Sequence, residues 1–404
     1  MAEHLNGKKW MVRIGNFVEE SISKGIYELG QEAPVLVGEP QEKVWYCLPI
    51  PEGRCGDGSE YHIYVKKGTT GKLCIFFSGG GIAINEYMAA RPVNGGRVAA
   101  WLPNYYWDNL RLFTQFMNIN AGITLNGHDN PFDDWNFVVI TYATGDMHIG
   151  NSKMVYHKAD DGGDEESAGE GGEGEAGDRE GVLYFHGYEN FTAAMRAGKK
   201  LFPRAEKLLI AGESAGAFAV PALAEEIAGE FYPECRDVTL FSDSAQLVYK
   251  GWKRILRDVW QARREIWAGV NGTNLAQEWY KGVCRRQGKR FRYLYSGSTT
   301  DYLLSAFYND VTNKVYDTDT QIQELYYEQM KDMIRELQSY DPRFSFYIHD
   351  WHRPLSMYKG GSIHTVVRQP EFLMRTQDDV TMAYWLSECV EGRLFDVGLR
   401  LMQR

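Results

Sequence analysis

What this sequence lacks narrows its reading before any motif is considered. No stretch approaches about 18 consecutive apolar residues, which argues against a membrane-spanning helix. Its six cysteines (Cys47, Cys55, Cys74, Cys235, Cys284 and Cys389) form no C-x-x-C pair, so neither a cysteine zinc site nor a thioredoxin-like motif is expected. An overall basic balance is missing: 44 basic residues against 54 acidic ones give a net charge of −10, the wrong balance for binding nucleic acid. The first ten residues, Met-Ala-Glu-His-Leu-Asn-Gly-Lys-Lys-Trp, hold no apolar signal-peptide core. The expectation is therefore a cytoplasmic protein with reduced thiols, against which a Cys47–Cys55 disulfide would stand as an exception.

What is present is enough for a large core: 404 residues, 44% hydrophobic and 14% aromatic. The charge is unevenly placed. Between Asp160 and Gly181 lie ten acids and one base, Arg179, with almost nothing apolar. Without that segment the charge is 43 − 44 = −1. Such a segment cannot bury enough surface to offset its ordering entropy, so residues 160–181 are expected to be a flexible insertion in one domain spanning residues 1–404.

Short β-branched or aromatic runs read as strands at Val44–Leu48, Tyr61–Val65, Lys72–Ser78, Phe137–Tyr142, Lys207–Ala211, Val238–Phe241, Phe291–Tyr295 and Phe344–His349. Most of the later runs are continuously apolar, the pattern of strands covered on both faces in a largely parallel sheet. Helical patterns alternate with them at Phe191–Leu201, Ala215–Glu230, Tyr249–Trp267, Leu275–Arg286, Tyr302–Asn313, Gln321–Ser339 and Asp378–Gly398. This alternation predicts an α/β fold, a mostly parallel central sheet with helices on both faces.

The chemistry centres on Gly212-Glu213-Ser214-Ala215-Gly216, a G-x-S-x-G match. A buried-strand pattern precedes it and a helical pattern, with a kink expected at Pro221, follows. Strand, sharp turn and helix are the setting of a nucleophilic serine; a glycine-rich turn with a bystander serine is the alternative. Attack by Ser214 on a carbonyl would create an oxyanion for backbone N–H groups to stabilise. Ala215 is one candidate donor, and Phe76-Phe77-Ser78-Gly79-Gly80-Gly81, a strand ending in three glycines, supplies others. A phosphate-cradling loop is disfavoured because no Gly-Lys-Ser/Thr follows.

A serine nucleophile needs a base and an orienting acid, in the chain order Ser, Asp/Glu, His for this kind of sheet. Only His349, His352 and His364 follow Ser214. His349 ends a strand pattern and, with Asp350 and His352, makes a weak metal-like cluster; His364 lies in a Gly-rich loop after the last strand. Candidate acids are Asp243, Asp301, Asp310 and Asp350. Asp301 lies just beyond the carboxyl end of a strand, where α/β sheets assemble their sites, and Asp243 also follows a strand.

These residues resemble the pectin acetylesterase/Notum family of carboxylesterases over roughly Cys55 to Phe372. The resemblance rests on ordered motifs: Cys55-Gly-Asp-Gly-Ser59, Phe77-Ser-Gly-Gly-Gly81 with Asn85, Ile140 to His148, His186-Gly-Tyr-Glu-Asn190, Gly212 to Gly216, Ser242-Asp-Ser244, the Asp301 segment and His364-Thr365. It implies an α/β-hydrolase fold and ester hydrolysis without metal or other cofactor. Ser214 would be the nucleophile, Asp301 the acid and His364 the base, within hydrogen-bond reach of both partners. Gly80, Gly81 and Ala215 would provide the oxyanion amides.

The chain departs from the family after the glycines, where a Trp and a Cys are usual and Ile82, Ala83 and Ile84 stand instead. The absent Cys removes a disulfide common in secreted members, which agrees with the cytoplasmic expectation. The expected activity is deacetylation of an acetylated carbohydrate or similar small ester through an acyl-enzyme. The alternative is a long-chain acyl esterase with Ile82 and Ile84 lining the acyl pocket, and a catalytically silent binding protein is the reading from another class.

Overall fold

The computed structural model describes residues 33–100, 102–110, 118–159, 180–352 and 361–403. The acidic insertion expected at residues 160–181 lies outside them, apart from Glu180 and Gly181.

All eight predicted strands form one sheet. They are β1 (Trp45–Pro49), β2 (His62–Lys66), β3 (Lys72–Phe77), β4 (Asn136–Ile140), β7 (Lys207–Glu213), β8 (Asp237–Asp243), β9 (Phe291–Ser298) and β10 (Ser345–His349). Their spatial order is β1-β2-β4-β3-β7-β8-β9-β10. Strands β4 to β10 in this order pair in parallel, while β1–β2 and β2–β4 are antiparallel. Parallel neighbours require long crossovers, and helices fill them: α1 (Gly187–Leu201), α2 (Ala215–Glu226), α3 (Leu275–Gln287), α4 (Tyr302–Asn313) and α5 (Thr320–Tyr340), while α6 (Met382–Val390) follows the last strand.

Side-chain alternation splits the core into two layers. Leu73, Ile75 and Phe77 of β3 and Leu208 and Ile210 of β7 face one layer, with residues of α1, α2, α3 and α5. Cys74, Phe76, Leu209 and Ala211 face the other, covered by α6 and by irregular chain carrying Ile123, Phe132, Val366 and Val367. Helices thus cover both faces, but unequally. The thinner layer contains the loop after β10.

Helix α2 runs through Pro221. A proline has no N–H to give the carbonyl four residues back, which here is Ala217 O. The Ser242 hydroxyl donates to that carbonyl at 2.7 Å and fills the gap.

Three local expectations fail. An antiparallel ladder, β5 (Ser152–His157) with β6 (Glu180–Phe185), forms on either side of the acidic segment. Neither strand was expected, although β6 holds the apolar run Val182-Leu183-Tyr184-Phe185; β5 alternates between exposed and half-buried residues. The helix expected over Tyr249–Trp267 is broken into Trp252–Arg254, a π turn at Ile255–Val259, and Arg264–Trp267. The helix expected over Asp378–Gly398 shrinks to α6. Asp378 and Asp379 take positive φ values of 49° and 62° and form the turn of a small hairpin instead.

Candidate active site

Chain leaving β3 passes to β4 on one side, whereas β7 lies on the other. Such a switch point opens a crevice at the carboxyl ends of the strands. There Phe77 is paired with Gly212, so the glycine loop and the Gly212–Gly216 turn leave the sheet side by side.

Ser214 joins β7 directly to α2 with φ 51° and ψ −126°, a conformation few side chains adopt. Holding it costs about 1–3 kcal/mol, which the flanking strand and helix must supply. The turn also demands close approach. A Cβ on Gly79 would lie 2.7 Å from Ser214 Cβ and 2.8 Å from Glu213 O, so only glycine lets the loop rest on the serine. Gly81 needs its φ of 76° to continue the loop.

Around Gly81 the chain bridges to Tyr106, with Trp107 N–H donating to Gly80 O at 2.9 Å and Ile82 N–H to Tyr105 O at 3.0 Å. That pattern spends the Ile82 amide but leaves the Gly80 and Gly81 amides without an acceptor among the described residues. The Ala215 amide, first in α2, has no carbonyl one turn back. Ile82 and Ile84 are both buried in the larger apolar layer.

The three candidate histidines have different surroundings. His364 Nδ1 is 2.7 Å from Asp301 Oδ2. Asp301 is fully buried, and its other oxygen caps α4 by accepting from Leu303 N–H at 3.0 Å and Leu304 N–H at 2.9 Å. The carboxylate therefore has a fixed direction. Burial alone would lower the His364 pKa, but the charge and hydrogen bond of Asp301, with the Asp243 and Glu213 carboxylates, outweigh it and raise it above 6.5. With Nδ1 facing a carboxylate, the proton belongs on Nδ1 and Nε2 is the free base. Nε2 is buried without a hydrogen-bond partner. The expected bond to Ser214 is thus not formed, whereas the one to Asp301 is; catalytic hydrogen bonds are often loose before substrate binds.

His349, at the end of β10, is stacked on Trp351 with centroids 4.6 Å apart, and its Nε2 is also unpartnered. Burial, helped by the charges of Arg375 and His352, pushes its pKa down to about 3. The His352 ring bonds Gly361 O at 3.0 Å. Among the described residues no three His, Cys, Asp or Glu side chains gather as a metal site, and no helix is long and apolar enough to cross a membrane. None of the six cysteines forms a disulfide, so Cys47 and Cys55 are not joined to each other.

Asp243, one of the candidate acids, has a different place from the one the sequence suggested. Its Oδ2 accepts from Val366 N–H at 2.7 Å and Val367 N–H at 2.8 Å, and its Oδ1 from the Ser296 hydroxyl at 2.8 Å. Its carbonyl accepts the Ser214 N–H at 2.9 Å. One residue thus anchors both the serine turn and the loop that carries His364. Burial raises the Asp243 pKa, an effect these hydrogen bonds oppose. Asp310 faces Tyr105 instead, and raises that phenol's pKa further after burial has already raised it.

The arrangement places a strained serine against a glycine loop with free amides. It also places a carboxylate-paired imidazole on a loop tied to the strand end beside that serine. The family model for pectinacetylesterase matches residues 50–343, which include Ser214 and Asp301 and end before His364. No curated protein matches the chain.

Proposed function

The chain belongs to the pectinacetylesterase family, a family of acetyl-ester hydrolases, and on that premise we propose that it cleaves O-acetyl esters by a serine mechanism. Ser214 attacks the ester carbonyl as His364 Nε2 takes its proton. Asp301 holds the imidazole in the Nδ1–H tautomer and stabilises the imidazolium. The amides of Gly80, Gly81 and Ala215 receive the oxyanion, where fixed dipoles act without reorganising. The imidazolium then protonates the departing alcohol, and water, activated by the same base, releases acetate from Ser214.

The observation that carries the reading is the 2.7 Å contact between His364 Nδ1 and Asp301 Oδ2, made from a loop anchored beside Ser214. The proposed substrate is a small or carbohydrate acetate. Ile82 and Ile84 sit in packed apolar surroundings, and a filled pocket excludes long acyl chains by overpacking. Treatment with a fluorophosphonate probe followed by mass spectrometry should label Ser214, and an unlabelled Ser214 would remove the nucleophile assignment. Rates on nitrophenyl acetate, butyrate, octanoate and palmitate should fall with chain length. A steady rise to octanoate would replace the acetyl reading with a long-chain acyl esterase.

A further inference from the structure

Arg368 lies four residues beyond His364 and is almost fully buried, with 7% of its side chain exposed. A buried guanidinium is costly unless its donors are all used. Here they reach two other parts of the site. Nε donates to Glu213 Oε1 at 2.8 Å, and a terminal nitrogen makes a second, charge-paired contact with the same carboxylate. The other terminal nitrogen donates to the Ser78 hydroxyl at 3.1 Å and to Asn118 Oδ1. The guanidinium also lies over the Phe76 ring, 5.1 Å from its centroid.

These contacts have a common consequence. Glu213 immediately precedes Ser214, and Ser78 immediately precedes the glycine loop. Arg368 belongs to the loop of His364. One planar group therefore touches the segments that carry the nucleophile, the oxyanion amides and the base. The sheet brings the first two together through the β3–β7 pairing. The base loop belongs to no strand of the sheet: the Asp301–Ser362 bridge and the His364–Asp301 bond hold it at the β9 end, the Asp243 carboxylate and the Ser244 hydroxyl hold it at the β8 end, and Arg368 links it to Glu213 and Ser78 at the ends of β7 and β3.

We propose that Arg368, paired with Glu213, is a positioning residue that sets where His364 stands relative to Ser214 and the glycine loop. This rests on the serine-esterase reading above. Arg368 touches no reacting atom; its effect is to keep three separately folded segments in one register. Lysine cannot replace it, since a compact ammonium cannot reach Glu213 Oε1 on one side and Ser78 and Asn118 on the other as the planar guanidinium does.

The test compares wild type with Arg368→Lys, Arg368→Met and Glu213→Gln, using nitrophenyl acetate kinetics, fluorophosphonate labelling rate and thermal unfolding. The expected result is a kcat lower by roughly 10–100-fold in Arg368→Met, with KM within about two-fold. Labelling should slow in parallel, and Glu213→Gln, which keeps an oxygen to accept from Arg368, should lose less than Arg368→Met. Because positioning and not charge is at issue, Arg368→Lys should stay close to Arg368→Met in kcat. A folded Arg368→Met with wild-type kcat would overturn the proposal, and so would full rescue by lysine. If Arg368→Met does not fold, the charge-balanced Glu213→Gln/Arg368→Gln variant gives the same reading. A wild type that neither hydrolyses the ester nor is labelled at Ser214 would overturn the esterase reading itself, which separates the two failures.

Discussion

Two histidines at the carboxyl edge of the sheet show how an imidazole's neighbours set its proton affinity. His349 at the end of β10 is fully buried, His364 in the following loop keeps 9% of its side chain exposed, and in each Nε2 is buried without a hydrogen-bond partner. Burial acts on both in the same direction, against the charged form. His349 faces an indole ring and the positive charge of Arg375, and its pKa falls to about 3. His364 faces Asp301, with Asp243 and Glu213 nearby, and its pKa rises. The difference therefore lies in the neighbouring carboxylates and not in depth. Asp301 can serve because capping α4 has already fixed its orientation.

The comparison can be broken most sharply at the group that His364, and not His349, is placed to serve. Ser214→Ala should lower turnover of nitrophenyl acetate by about 10⁶-fold while cooperative unfolding persists. A variant keeping a tenth of the activity would show that the imidazole serves another group. Asp301→Asn should cost about 10⁴-fold in kcat, because the neutral amide no longer fixes the tautomer. Asparagine caps helices as well as aspartate does, so the melting temperature should hardly move and the catalytic loss is separable from folding. In that variant an NMR titration should find the His364 pKa lower than in wild type, moved towards the behaviour of His349.

Smaller effects sharpen the same contrast through pH. The acid limb of kcat/KM should lie above pH 6.5, since His364 must lose a proton held by Asp301 before it can act. In Asp301→Asn the limb should move to lower pH. Stability should respond with opposite signs at the two histidines. His349 has a folded pKa of about 3, below the unfolded value of 6.5, so its contribution is present above pH 6.5 and is lost as pH falls toward 3. His364 has a folded pKa above 6.5, so its contribution is complete below pH 6.5 and is lost as pH rises through the folded value. His349→Gln should therefore flatten the acid-side fall in melting temperature and change kcat by less than a few-fold. A large loss of kcat in His349→Gln would put the base in the wrong loop.

Much of this protein was determined by its sequence locally. The eight sheet strands are legible as apolar runs because a strand buried on both faces must be apolar along its whole length. The serine turn is legible because only glycine permits its close approaches, as at Gly212 and Gly216. Asp301 is legible as an acid beyond a strand end and at the start of a helical pattern, where a cap belongs. The β5–β6 ladder was less so: β5 is half-exposed with a weak pattern, and the apolar run of β6, Val182–Phe185, directly follows the acidic segment. The spatial order of the strands, the contact of His364 with Asp301, the anchoring role of Asp243 and the reach of Arg368 were decided only in the tertiary structure. Each rests on contacts between residues far apart in the chain: 63 positions separate Asp301 from His364, and 155 separate Glu213 from Arg368. No local preference encodes such pairs, because they form only when the parallel sheet brings the loops at its carboxyl edge together and burial makes each unpaired polar group costly.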